Sequence, residues 1–262
     1  MGIFNRNFDK PGPGVNKDAP QKKGVQRFFE VLTRDFGDLV KLNLFFCACA
    51  IPSVAMFLLG LFGIVRGYAF ILSIALAFPI GGALSASMFC VTNMLRNELG
   101  WIWHDFKRKF LENWKQAMIP GILCTAFIYM QIYLWVFLFI NGKGISTIGL
   151  FFDGFALLIF GMAVSYLFLQ IAYIDLNIAQ IVKNSVLLLL MYAPRSFMGA
   201  LTGGIIWIVF ALFLPPSLFF TPILLLLGFS LSWLMSLMWT WPIVNKQYAI
   251  EETLLRKQSG EM

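Results

Sequence analysis

Only 13% of the 262 residues are charged and 59% are hydrophobic, with a mean hydropathy of +0.78. Soluble domains carry about a quarter charged residues, so this chain is not a soluble globule, and its surplus apolar surface must face lipid. The net charge of +7 would suit a nucleic acid or a membrane surface. The basic residues flank apolar blocks, so the lipid bilayer is the expected partner and nucleic acid is not.

Residues 1–24 are polar and rich in Gly, Pro and Lys. They lack the apolar core of a signal peptide, and Arg6 stands where a myristoylation motif needs Ser or Thr. The expectation is a disordered cytoplasmic tail. A membrane domain follows over 25–250, and 251–262 form a second cytoplasmic tail. A bilayer core takes about 20 apolar residues per helix. Six blocks qualify, at about 42–65, 68–95, 117–140, 154–174, 197–214 and 218–243, and none holds a charged residue or His in its interior. The fold class expected is therefore all-α, a polytopic bundle of six transmembrane helices.

Orientation follows from the Lys and Arg residues. Only Arg66 and Lys143 fall in segments that an inside N-terminus would place outside. Basic residues concentrate on the cytoplasmic side, so both termini are expected there. The segments facing the cytoplasm are amphipathic. In 25–41, Phe28, Phe29, Leu32, Phe36, Leu39 and Val40 recur at helical spacing. In 101–116, Trp103, Phe106, Phe110 and Trp114 share a stripe, beside Trp101, Asp105, Lys107, Arg108 and Lys115. Residues 175–196 start polar and turn apolar before Pro194. Such helices are expected to lie in the headgroup region; the second is also the candidate surface for docking a partner. Each precedes a helical hairpin, which suggests a repeat of one amphipathic helix and two spans, echoed by Lys41 with Asn43, Asn113 with Lys115, and Lys183 with Asn184.

Within the spans, chemistry is sparse. Pro52 interrupts the first and Pro79 the second, followed by Gly81 and Gly82. Proline removes an N–H and frees a carbonyl, which suits either a ligand site or a kink satisfied by Ser53, Ser85 or Ser87. Gln131 and Tyr133 could bond Tyr166 and Gln170 across the third and fourth spans, or hold a polar ligand. Gly199 and Gly203 form a GxxxG pair, and Gly82 with Ala86 and Gly161 with Ser165 are softer versions; packing within the chain is expected of them. Cys47, Cys49, Cys90 and Cys124 all lie in apolar segments, as small packing residues. His104 is the sole histidine, beside Asp105, and supports no metal site. No nucleotide-binding glycine motif is present, no nucleophile stands paired with a base, and no cofactor or catalytic residue is expected.

Several local patterns stand out: Lys41-Leu42-Asn43-Leu44, Ile51-Pro52-Ser53-Val54, Pro79 through Ala86, Arg96-Asn97, Asp105-Phe106 and Asn113-Trp114-Lys115-Gln116. Together they resemble the YesL family of small bacterial membrane proteins. The likeness runs from about residue 25 to 250. It implies a multi-pass protein of the bacterial cell membrane, in a family of unestablished activity whose members resemble accessory partners of carbohydrate uptake. The leading expectation is a non-enzymatic accessory or regulator of small-solute uptake, with membrane transporter subunits as partners. The alternatives are a stand-alone facilitator with its site at Pro52 and Pro79 to Gly82, and a membrane enzyme acting on lipid-linked substrates through Asp105, Asp153 or Asp175.

Overall fold

A computed structural model describes residues 24–65, 68–98, 100–140, 146–212 and 224–259. These residues form helices and no strand. In chain order they are α1 (Val25–Arg34), α2 (Phe36–Leu61), α3 (Ala69–Ala75), α4 (Phe78–Leu95), α5 (Ile102–Ile140), α6 (Thr147–Tyr173), α7 (Ile178–Met191) and α8 (Ala193–Leu212). A π-helical turn over Leu224–Gly228 then leads into α9 (Phe229–Tyr248), and α10 (Ile250–Ser259) follows. Among the described residues, five helices are long and apolar enough to cross a membrane, and a sixth crossing results if the bent pair α7–α8 counts as one. The expected tail 1–24 and the link at 215–217 lie outside the described residues, apart from Gly24.

Local chemistry sets the helix boundaries. Pro79 has no N–H, and its ring collides with the carbonyl four residues back, so α3 stops at Ala75 and α4 restarts with proline in its first turn. The expected span 68–95 is thus two helices. The break frees the carbonyl of Ser73. Ser53 answers it, donating its hydroxyl there at 2.7 Å while lying 2.8 Å from the Tyr129 hydroxyl. The same rule places Pro194 in the first turn of α8 and ends α7 at Met191, and the two helices meet at 101°. Ser146 caps α6, accepting from the Gly149 N–H at 3.1 Å, and Asn177 with Gln180 form a capping box on α7.

The amphipathic segment 101–116 is not a separate helix lying on a membrane surface. Residues 101–119 hold no glycine or proline, so the segment runs on past Gln116 into the apolar stretch as one helix, α5, with Pro120 inside it. At about 1.5 Å per residue α5 is about 58 Å long, nearly twice a hydrocarbon core of about 30 Å. The aromatic stripe of 101–116 faces protein. Phe45 meets the Trp103 and Phe106 rings at 4.9 and 5.5 Å, and Phe110 and Trp114 cover Gly82. It is α7 that turns crosswise, with Val186, Leu187, Leu190 and Met191 exposed along it.

Packing follows the hairpins in a ring. The second helix of each meets the first helix of the next: α4 lies along α5, α6 on α8, and the π turn with α9 on α2. The second helices α4, α6 and α9 also pack on one another. They are the inner layer, with 67%, 44% and 61% of their apolar stretches buried, against 22% for α2 and for α5. Polar side chains tie the ring. Asn43, fully buried on α2, accepts from the N–H groups of Phe229 and Ser230 at 2.9 and 3.0 Å, and so caps the start of α9. Asn113 of α5 donates to Ser85 of α4 at 3.1 Å. Tyr166 of α6 lies 2.8 Å from Ser196 of α8.

Candidate functional site

One end of the bundle gathers α1, the start of α2, the end of α4, the start of α5, the end of α9 and α10. Arg27 and Arg34, seven residues apart on α1, reach the last turn of α4. Arg27 donates to the Leu95 carbonyl at 2.6 Å and to Asn97 Oδ1 at 2.9 Å. Arg34 donates to the Met94 carbonyl at 2.7 Å and also to Asn97 Oδ1. The carbonyls at a helix C-terminus lack partners within the helix and carry partial negative charge, so two guanidiniums satisfy both needs. Asn97 itself closes the helix in the left-handed region at φ 59°, with the Glu98 N–H returning to the Asn93 carbonyl at 2.9 Å. Hydrogen bonding to Asp35 raises the pKa of Arg34 above its ordinary value, so this cap stays charged.

Beside this base lies a cleft of about 820 Å³ lined by Phe89, Asn93, Arg96, Glu98, Trp101, Trp103, His104, Asp105, Arg108 and Leu254. A smaller cavity of about 290 Å³ adjoins it, sharing Asn93, Glu98, Gly100 and Asp105 and reaching Arg34, Asp38 and Cys90. Arg96 pairs with Glu98 and lies 3.6 Å from Glu251 of α10, while its guanidinium sits 5.9 Å from the Trp241 ring. Arg108 donates to Asp105 at 3.2 Å, and His104 Nδ1 lies 3.7 Å from the same carboxylate oxygen. Trp101 stands 86% exposed at the mouth, and Trp103 56% exposed.

The residues singled out from sequence are thus scattered. Trp101, Trp103, Asp105 and Arg108 converge on the cleft. Lys107 and Lys115 stay exposed on α5, with Lys115 lying 5.9 Å from the half-buried Trp114 ring. Pro52 faces outward from α2, and Pro79 is half-buried in the first turn of α4. Gly81 and Gly82 are buried against α5: a Cβ on Gly81 would strike the Ala117 carbonyl, and Gly121 returns the contact. Helix α5 therefore fills the space in which the Pro79–Gly82 ligand site was expected.

Gln131 and Gln170 do not meet. Gln131 donates to Asp153, which also takes the Trp135 indole N–H at 2.8 Å. Gln170 donates to Ser185 at 2.9 Å and accepts from the Tyr248 hydroxyl at 3.1 Å. The hairpin α5–α6 turns between Ile140 and Ser146, and antiparallel helices turning there set Gln131 opposite residue 153, far from 166 or 170. That reckoning was available in the sequence. Arg27 was not: it reads as part of a solvated face and is only 6% exposed. The signals for it were the seven-residue spacing to Arg34 and the helix-ending Asn97.

Among the described residues no three His, Cys, Asp or Glu side chains converge as a metal site. No family model, curated protein or solved structure matches the chain.

Proposed function

We propose that the chain is a multi-pass component of a bacterial cell membrane, with both termini cytoplasmic, that docks a membrane transporter subunit and assists small-solute uptake without catalysing a reaction. The observation that carries the reading is the outward face of the first half of α5. His104, Arg108, Leu111 and Lys115 are exposed there at helical spacing, with Trp101 just ahead of them and Lys107 alongside. The opposite face of the same segment is packed on α2 and α4. Residues 102–116 precede the apolar stretch of α5 and form a rod of about 22 Å, held out beyond it by the α4 contact. A fixed helix with a basic outer face and one exposed leucine suits a partner presenting acidic groups around an apolar spot.

The test is purification of the intact protein in mild detergent, with identification of what accompanies it. Transporter subunits accompany the wild type and are lost from the Leu111→Ser/Lys115→Glu variant, whose melting temperature stays unchanged because both side chains are exposed. Equal recovery of the same subunits with the variant sinks the reading. Single-cysteine labelling at residues 107 and 150 from either side of intact cells tests the orientation, and reactivity of 107 from the exterior overturns it. The enzyme reading keeps one supporting observation, the place of Asp105 between the two cavities. It requires turnover on a lipid-linked substrate that Asp105→Asn abolishes without loss of folding.

A further inference from the structure

The cleft at the end of α4 carries both signs of charge, arranged in two matched pairs. Arg108 is 48% exposed and Glu98 37% exposed, so one cationic and one anionic group are open to an incoming molecule. Each is held from behind by a more deeply set partner of opposite sign, Arg108 by Asp105 and Glu98 by Arg96. Arg96 is fixed in turn by Glu251 and the Trp241 ring. A simple anion entering here is drawn to Arg108 and repelled by Glu98 and Asp105. A simple cation meets the converse. A molecule with both charges complements both open groups, and neither need abandon its supporting partner. The rest of the lining agrees. Trp101 and Trp103 offer aromatic faces to an ammonium group at the mouth, and Phe89 and Leu254 supply an apolar wall. Arginine reads phosphate through paired N–H donors. The volume of about 820 Å³ suits a headgroup with its glycerol rather than a single amino acid.

We propose that this cleft binds a zwitterion carrying a phosphate and an ammonium group, the chemistry of an aminophospholipid headgroup or of a soluble phosphoamine, with Arg108 on the phosphate and Glu98 on the ammonium. The cleft shares Trp101, His104 and Arg108 with the outward face of α5, but the docking reading is tested at Leu111 and Lys115, which lie outside the cleft, so the two can fail separately.

The full-length protein is extracted from vesicles of equal phosphatidylethanolamine and phosphatidylglycerol, and lipid retention is read by native mass spectrometry. A second arm follows tryptophan fluorescence on addition of soluble glycerophosphoethanolamine. Retention of phosphatidylethanolamine over phosphatidylglycerol by about tenfold is expected, the size of one charge-assisted hydrogen bond. Glu98→Gln abolishes that preference, and Arg108→Gln lowers retention of both lipids, since both lipids carry the phosphate; a retained cooperative thermal transition shows that each variant is folded. Retention of the lipid with no response to the soluble headgroup assigns the lipid source. A saturable response to glycerophosphoethanolamine that both variants lose assigns the soluble one. Equal retention of the two lipids with no soluble response overturns the proposal, as does a preference that survives Glu98→Gln or a total retention that Arg108→Gln leaves unchanged.

Discussion

Two helix seams in this bundle use glycine, and they use it differently. Along α4–α5, Gly81 and Gly121 sit backbone to backbone, and a Cβ on either would strike the main chain of the other helix. Along α8–α9, Gly199 and Gly203 form the GxxxG pair read from the sequence, and they pack within the chain as expected. Their nearest neighbours are the Ser236 carbonyl at 3.3 Å and the Ser232 carbonyl at 3.0 Å from an added Cβ. The first seam lies at the closest approach that two helices allow. The second leaves a few tenths of an ångström, and α9 is secured at its start by the Asn43 cap. The same residue type thus sets a rigid crossing between two hairpins and an adjustable one within a hairpin.

The comparison is open to attack by mutation. The largest effect belongs to Gly81→Ala, because backbone rather than a side-chain tip must move. A loss at or above the top of the roughly 1–3 kcal/mol range for overpacking is expected, read as a fall in melting temperature in detergent. A loss below that of Gly203→Ala erases the distinction between the seams. Next comes Asn43→Ala, which strands two backbone N–H groups in an apolar interior. A loss of about 2 kcal/mol is expected, with amide exchange quickening at Phe229 and Ser230 first. Gly203→Ala asks only that Ser232 and Ser236 give slightly, and about 1 kcal/mol is expected from the same thermal measurement. Smallest is Gly204→Ala, one residue along, where an added Cβ meets nothing within 4 Å. Stability should hold or rise by up to about 1 kcal/mol, the helix-propensity difference. A clear loss there shows that α8 is crowded on a side that is open in this structure.

The contrast also marks what local sequence pattern reveals. Apolar runs of membrane length are a property of adjacent residues, so the spans were legible. The GxxxG spacing was legible for the same reason. That Pro79 and Pro194 end helices while Pro52, Pro120 and Pro242 lie inside them was not legible. The seam between Gly81 and Gly121 was not, since Gly121 lies in a helix whose beginning was assigned to a separate surface element. Hydropathy changes at Ala117 while backbone geometry does not, and only a breaker would have separated the two. The cleft was half legible. Trp101, Trp103, Asp105 and Arg108 stood out as an aromatic and charged cluster. Arg96, Glu98, Glu251 and Leu254 did not, because what joins them is the return of α10 to the end of α4. Burial of Arg27 depends likewise on a helix 68 residues further along the chain.

Pro120 has a consequence for how α5 deforms. It lies inside the helix, next to Gly121, and deprives the Gln116 carbonyl of its backbone partner. A helix bends most readily where that bond is missing. Helix α4 braces that point, with Gly81 against Ala117 and Gly121, and it braces the arm beyond as well, through Gly82 against Phe110 and Trp114 and through Ser85 with Asn113. The weak point of the rod is therefore splinted by its neighbour, and a bend at Pro120 must carry α4 with it.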